Sequence, residues 1–371
     1  MKSRFLTPLL VSLFFLLPSS LSMAAANNLS EQGDFFELPS LFQTQELSLS
    51  SRAMGELCQS ISLFSDGTVC NPAYLTEVEE SHVLAHVFIG NGYHALNTAN
   101  QILSGQPSQE FLKNLFQNEN VTSIEGQASL AFTTKYFSAS YVPYRIQFFS
   151  EVHDPAYPVM AIHAAREQSL NFAVGVPLEW VHPALSDFSA GLRTHLIDRT
   201  FVHSTFTLFD VLTSGNPASL APAQTQKVVK VEPSIAWQKK DITPGLRTLR
   251  IGATARNLKW VNQEVALYKE KADLDLGIGI EPALSLGKLQ FGLDAVNLVN
   301  ATSIESRFRL GGSYTLGMAS VMTGVTSSAV VSGLLFHFGF AQVGVAYEFY
   351  RKELHDGRLG QQISTEFGVQ L

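Results

Sequence analysis

The last hundred residues carry a rhythm of two. From Ala272 the chain reads Ala272-Asp273-Leu274-Asp275-Leu276-Gly277-Ile278-Gly279-Ile280: even positions are apolar, odd ones acidic or glycine. Leu289, Phe291, Leu293 and Ala295 then alternate with Lys288, Gln290, Gly292 and Asp294. Ile304, Phe308, Leu310, Tyr314 and Leu316 oppose Glu305, Arg307, Arg309, Ser313 and Thr315. Ala341, Val343, Val345, Tyr347 and Phe349 follow, and the chain ends on Ile363, Thr365, Phe367, Val369 and Leu371. Successive side chains of a strand point to opposite faces, so this period predicts strands. Runs of roughly 9–13 residues suit tilted strands crossing a bilayer. The fold class this predicts is all-β, a transmembrane antiparallel β-barrel. Its outer face is apolar, and Asp273, Asp275, Glu305, Arg307 and Arg309 point into a wet or plugged lumen.

Upstream, strands are expected at 81–90, with His82 and His86 on one face, and at 123–134, 136–149, 160–166, 170–178, 228–237 and 246–257. Residues 95–117 change period. Ser108 stands as an N-cap, and Phe111, Leu112, Leu115 and Phe116 share one helical face. One or two short helices are expected there, capping a pore, lying at the membrane interface, or packed as a loop. Residues 186–212 mix an alternating piece with an apolar, helical-looking one at 206–212. Residues 214–226 are rich in Pro, Ala and Ser and read as a long loop. His355-Asp356-Gly357 marks the last hairpin.

Composition agrees with the pattern. The chain is 46% hydrophobic and 15% charged, with 26 Phe and no helix-length apolar run after the N-terminus. Its net charge of −7 argues against a nucleic-acid partner. Lys2 and Arg4, an apolar stretch from Leu6 to Leu17, and small residues at 22–26 read as a secretory signal peptide, cleaved near Ala25 or Asn27. The expected domains are a signal peptide at 1–26, a periplasmic leader and lumen plug at 27–80, and the barrel at 81–371. Cys58 and Cys70 read as a disulfide in an oxidising compartment. Two free thiols are the alternative, and no further His or Cys lies at ligand spacing for a metal.

Residues 51–75 are the most specific stretch. It opens on Ser51-Arg52-Ala53-Met54-Gly55, passes Asp66-Gly67, and closes on Asn71-Pro72-Ala73-Tyr74-Leu75. Asp-Gly and Asn-Pro are turn signals, so a kinked segment precedes the first strand. This stretch resembles the N-terminal hatch of the long-chain fatty-acid (FadL-like) outer-membrane transporter superfamily. That group also includes barrels of type IX secretion and of conjugal transfer. The matching positions are Arg52, Gly55, Asn71, Pro72 and Ala73, with Asp66 as the acidic turn. The glycine- and alanine-rich middle of the family is absent, and Tyr74 stands where the family has glycine. The resemblance implies about 14 strands and a plug. Arg52, Asp66 and Asn71 would offer that plug polar partners for the luminal charges. Those charges could instead form a selectivity ring for a polar solute.

No nucleophile elbow, paired-histidine zinc motif or phosphate-binding glycine loop occurs. His337, between Phe336 and Phe338, reads as a lumen histidine, and His195 and His203 carry no more. No enzyme, cofactor or metal is expected. The functional expectation is a barrel in the Gram-negative outer membrane, in contact with its lipid, that takes up hydrophobic compounds such as long-chain fatty acids. The alternative is an anchor or shuttle for an envelope protein in secretion or conjugation.

Overall fold

Alternation builds the wall. A computed structural model describes residues 48–62, 70–90, 95–117, 121–153, 157–261, 271–300, 304–327, 329–353 and 359–370, all within the unit Ser40–Leu371. The signal peptide, the leader before residue 48, Asp66 and the 355–357 hairpin lie outside the described residues.

The strands are β1 (His82–Gly90), β2 (Val121–Thr134), β3 (Phe137–His153), β4 (Val159–Pro177), β5 (Phe188–Thr207), β6 (Gln224–Thr243), β7 (Leu246–Arg256) and β8 (Leu258–Val261). They continue as β9 (Asp273–Pro282), β10 (Lys288–Ala295), β11 (Phe308–Leu316), β12 (Ala319–Val325), β13 (Ala329–Phe338), β14 (Ala341–Glu353) and β15 (Leu359–Gln370). Each pairs antiparallel with its neighbours, and β1 closes on β15, Leu84 opposite Gln370. β8 continues β7 past Asn257, whose φ of 57° breaks the run, and pairs with β6 alone. Among the described residues, these fifteen segments therefore make a closed barrel of fourteen strands. Closure leaves no strand edge in the wall, which is what a hydrocarbon surrounding demands.

The phase is the expected one. Leu276, Ile278 and Ile280 face out, while Asp273 and Asp275 are buried within. Phe291, Leu293, Val343, Val345, Tyr347, Ile363 and Phe367 also face out. The end that holds the start of β1 and the end of β15 has mostly short turns rimmed by exposed Trp180, Met318, Phe338 and Phe340. Trp180 meets Tyr136 edge-on at 5.1 Å, as in an interfacial aromatic belt. The opposite end carries the longer loops.

Four expectations need correction. Glu305 and Arg307 lie on a 3-10 turn, Glu305–Arg307, and β11 begins only at Phe308. Ser306 breaks the alternation there, so no apolar face forms before Phe308. The pieces 160–166 and 170–178 are one strand, β4, paired with β5 along its whole length. Residues 206–212 are not all helical: Phe206 and Thr207 are the last two residues of β5, and only Leu208–Thr213 turns, behind a capping box of Thr207 and Asp210. Residues 95–117 do form two helices, Leu96–Leu103 and Gln109–Gln117, with Ser108 Oγ accepting from the Phe111 N–H at 3.1 Å. They do not cap the pore. They pack, with Leu208–Thr213, on Ile124, Ile146, Phe148, Met160, Ile162, Val202 and Phe206. In β4 these are the even positions, the same side as lipid-facing Leu170 and Phe172. The helices therefore cover the outside of β2 to β5 at the loop end.

Candidate functional site

The lumen is occupied by residues 48–62 and 70–78, a segment laid across the inner wall. It opens with α1 (Leu49–Ala53), whose N-cap Ser48 accepts from the Ser51 N–H at 3.1 Å. All five helix residues are buried. Leu49, Ala53, Met54, Leu57 and Ile61 pack on Met322, Ala329, Val331, Leu335 and Ala346 of β12 to β14. A fully buried aliphatic side chain contributes about 1.5–3 kcal/mol, so this seat alone gives the segment a strong hold. The Leu49 N–H donates to Glu366 Oε2 on β15 at 2.8 Å.

Arg52 points from α1 to the other wall. Its guanidinium pairs with Glu125 on β2, reaches Glu348 on β14 at 3.5 Å, and lies 5.7 Å over the Phe88 ring. Gln147 and Gln362 also donate to Glu125, each at 3.1 Å. Gly55 and Glu56 then reverse the chain with φ of 70° and 60°. Arg309 holds the turn, 2.8 Å from Glu56 Oε2 and donating to the Glu56 carbonyl at 3.2 Å.

Past the turn, Asp294 on β10 accepts from the N–H groups of Cys58 and Gln59 at 2.6 and 2.7 Å. Gln59 Oε1 accepts from Asn71 at 2.9 Å and from Thr254 at 2.7 Å, and its carbonyl accepts from Tyr74 OH at 2.6 Å. Burial, with the Glu77 carboxylate nearby, pushes the Tyr74 phenol above its usual range. Cys58 and Cys70 are disulfide-bonded, with Cα atoms 5.1 Å apart. Asn71 Oδ1 accepts from the Ala73 N–H at 3.0 Å and starts a 3-10 helix, Pro72–Glu77, with Pro72 in the first turn where its missing N–H costs nothing. Glu77 closes the segment on Arg250 of β7 at 3.2 Å.

The wall meets this segment with glycine. A Cβ on Gly175 would stand 2.9 Å from Leu75 Cβ and strike the Pro72 carbonyl. One on Gly191 would strike Ala73, on Gly252 the Gln59 carbonyl, on Gly279 the Ser60 carbonyl. Gly311 and Gly324 would strike Met54 and Gly55. Backbone lies on backbone around most of the circumference, which only residues without Cβ permit.

Of the residues singled out in the sequence, Arg52, Gly55, Cys58, Cys70, Asn71, Pro72, Ala73 and Arg309 come together here. Asp273 and Asp275 serve elsewhere. Asp275 pairs with Arg256 at 2.7 Å and accepts from the Asn297 N–H; Asp273 accepts from the Val299 N–H and from Asn300. Arg307 is half-buried on its turn at the loop end. Sequence reasoning missed Glu125, Arg250, Asp294 and Glu366, which do the anchoring, and the track of glycines. Among the described residues, no group of three or more His, Cys, Asp or Glu is placed to hold a metal ion.

No protein-family model matches the chain, and no curated protein matches it by sequence. Solved structures do match. The Ralstonia pickettii toluene transporter TbuX superposes with a TM-score of 0.53 at 10% identity, over 89% of this chain and 99% of that one. The Pseudomonas putida toluene transporter TodX gives 0.43 at 9% identity, over 89% and 98%. The outer membrane phospholipase A from Escherichia coli gives 0.35 at 9%, over 81% and 98%. The first of these likenesses extends over nearly the whole of both chains. The chain has the closed β-barrel fold of that toluene transporter.

Proposed function

We infer that this chain is an outer-membrane barrel for the passive uptake of hydrophobic compounds, long-chain fatty acids or aromatic hydrocarbons among them. The segment at 48–78 is its plug. The observation that carries this reading is the belt itself: a disulfide-closed segment threaded through a barrel similar to the toluene transporter TbuX. Among the described residues, apolar packing, hydrogen bonds, ion pairs and close glycine contacts hold the belt to the wall without a cross-link between the two, so it can shift while the wall stays closed. Export by a signal peptide, the periplasmic placement of the short turns, and contact with outer-membrane lipid belong to the same reading. The barrel supplies no chemistry of its own in this account.

Uptake of radiolabelled toluene and oleate by cells lacking their own transporters tests it. Cells producing the chain are expected to take up one of the two faster than cells carrying an empty vector. Uptake at the control rate, with a stoichiometric envelope protein co-purifying, would favour the anchor-or-shuttle reading. Release of fatty acid from phospholipid by the pure protein would favour an enzyme.

A further inference from the structure

The outer wall holds a concave site that the uptake reading does not use. A cavity of about 600 Å³ lies on the lipid-facing side of β3 to β6 and β8. Its floor is a single cross-strand row: Tyr141 pairs with Leu170, Leu170 with Leu196, Leu196 with Val229, and Val229 with Trp260. The three aliphatic residues are 37–41% exposed, Tyr141 is 40% exposed and Trp260 is 82% exposed. An aromatic residue thus stands at each end of an apolar floor.

The next row toward the loops is polar. Gln168 pairs with Asp198 and Asp198 with Lys227. Gln168 donates to Tyr141 OH. Lys227 Nζ lies 3.7 Å from Asp198, but the two side chains are 73% and 54% exposed. Such a pair is worth ~0–1 kcal/mol and re-partners readily. Arg166, exposed one row further on, adds a second cation on the same face of β4. The cavity's own polar row holds one cation and one carboxylate, and Arg166, just beyond the cavity on the loop side, makes the cations of this face two. The step from grease to charge thus falls between adjacent rows, at the level where Trp and Tyr gather in barrels.

We propose that this groove binds one membrane lipid with an anionic phosphate headgroup, its acyl chain on Leu170, Leu196 and Val229 between Tyr141 and Trp260, its phosphate at Lys227 and Arg166. A lysine and an arginine on one face suit a phosphate, and the apolar floor next to the polar row suits the chain attached to it. A neutral headgroup gains the floor but not the charges.

The test uses the full-length protein in neutral detergent, titrated with phosphatidylglycerol or phosphatidylcholine and read by native mass spectrometry. The expected result is one retained phosphatidylglycerol, favoured over phosphatidylcholine. Lys227→Glu with Arg166→Glu should remove that preference, with about a fivefold loss per cation. Trp260→Ala, a change at an exposed site, should weaken retention of both lipids alike. Equal retention of the two lipids by the unaltered protein would overturn the proposal. So would retention undiminished in both variants, or displacement of the lipid by inorganic phosphate alone. Hydrocarbon uptake should be unchanged in Lys227→Glu, so its failure and that of the uptake reading are told apart.

Discussion

The wall from β2 to β6 and the wall from β9 to β13 serve one barrel at different heights. The strands of the second run 7 to 10 residues, the length of a bare bilayer crossing. Those of the first run 14 to 20, and the outer faces of β2 to β5 carry helices at the loop end. The inner faces differ as well. The short wall, with β14, offers α1 an apolar seat and close glycines, and past the turn it adds Asp294 and Arg309. The tall wall is laced with charge: Glu167 lies between Arg145 and Arg199, and Arg193 pairs with Glu232. It takes Arg52 through Glu125. Glycine contacts and charge thus serve on both walls, and the larger apolar seat belongs to the short one.

Removing the charge contact should have the largest effect. Arg52→Ala leaves Glu125 and Glu348 buried without their guanidinium, and about 3–5 kcal/mol of stability is expected to go. Urea unfolding in micelles measures it. A loss below ~1 kcal/mol would mean that the Arg52 contact adds little to the other anchors of the segment. Next comes the staple: Cys58→Ser with Cys70→Ser opens a link across a sequence separation of 12 and should cost about 3 kcal/mol, matched by reduction of the unaltered protein. Gly311→Val tests the shape contact directly. Its side chain would meet Met54, whose carbonyl carbon lies 2.8 Å from an added Cβ, and about 1–3 kcal/mol is expected. Gly215→Ala, with open space around it, is the matched control.

The smallest effect is a pH effect. The Tyr74 pKa is raised in the folded chain, so the protein binds that proton more tightly folded than unfolded. The stabilisation is complete below the ordinary phenol pKa of about 10 and is lost as pH climbs above it. Tyr74→Phe should therefore flatten the alkaline limb of a melting-temperature profile. An alkaline limb identical in both proteins would remove Tyr74 from the account.

The lipid side of this barrel was legible in the sequence, and the luminal side largely was not. Leu276, Ile278 and Ile280 announce their face because lipid demands apolar residues at every second position. The Ser108 cap and the Cys58–Cys70 bond are likewise local signals. β4 was harder. Arg166 and Gln168 interrupt its outward apolar run where the wall leaves the bilayer, although its hydrogen-bond ladder continues to Val159. The anchors were beyond reach. Arg52 and Glu125 are 73 positions apart, Cys58 and Asp294 236, and nothing near either residue marks the partner. The glycines were visible, but an inward glycine reads as a neutral gap until the backbone that fills it is known. Their recurrence on β4, β5, β7, β9, β11 and β12 is the signal a reader could have used.

That track has a consequence for biogenesis. A belt touching β4 at one end and β15 at the other is awkward to thread into a finished cylinder, since its carbonyls must slide past the wall at contact distance. The easier order lays residues 48–78 against an open, curling sheet and joins β1 to β15 last. The Leu49–Glu366 bond then forms as the seam closes, and the lumen is furnished before the door is shut.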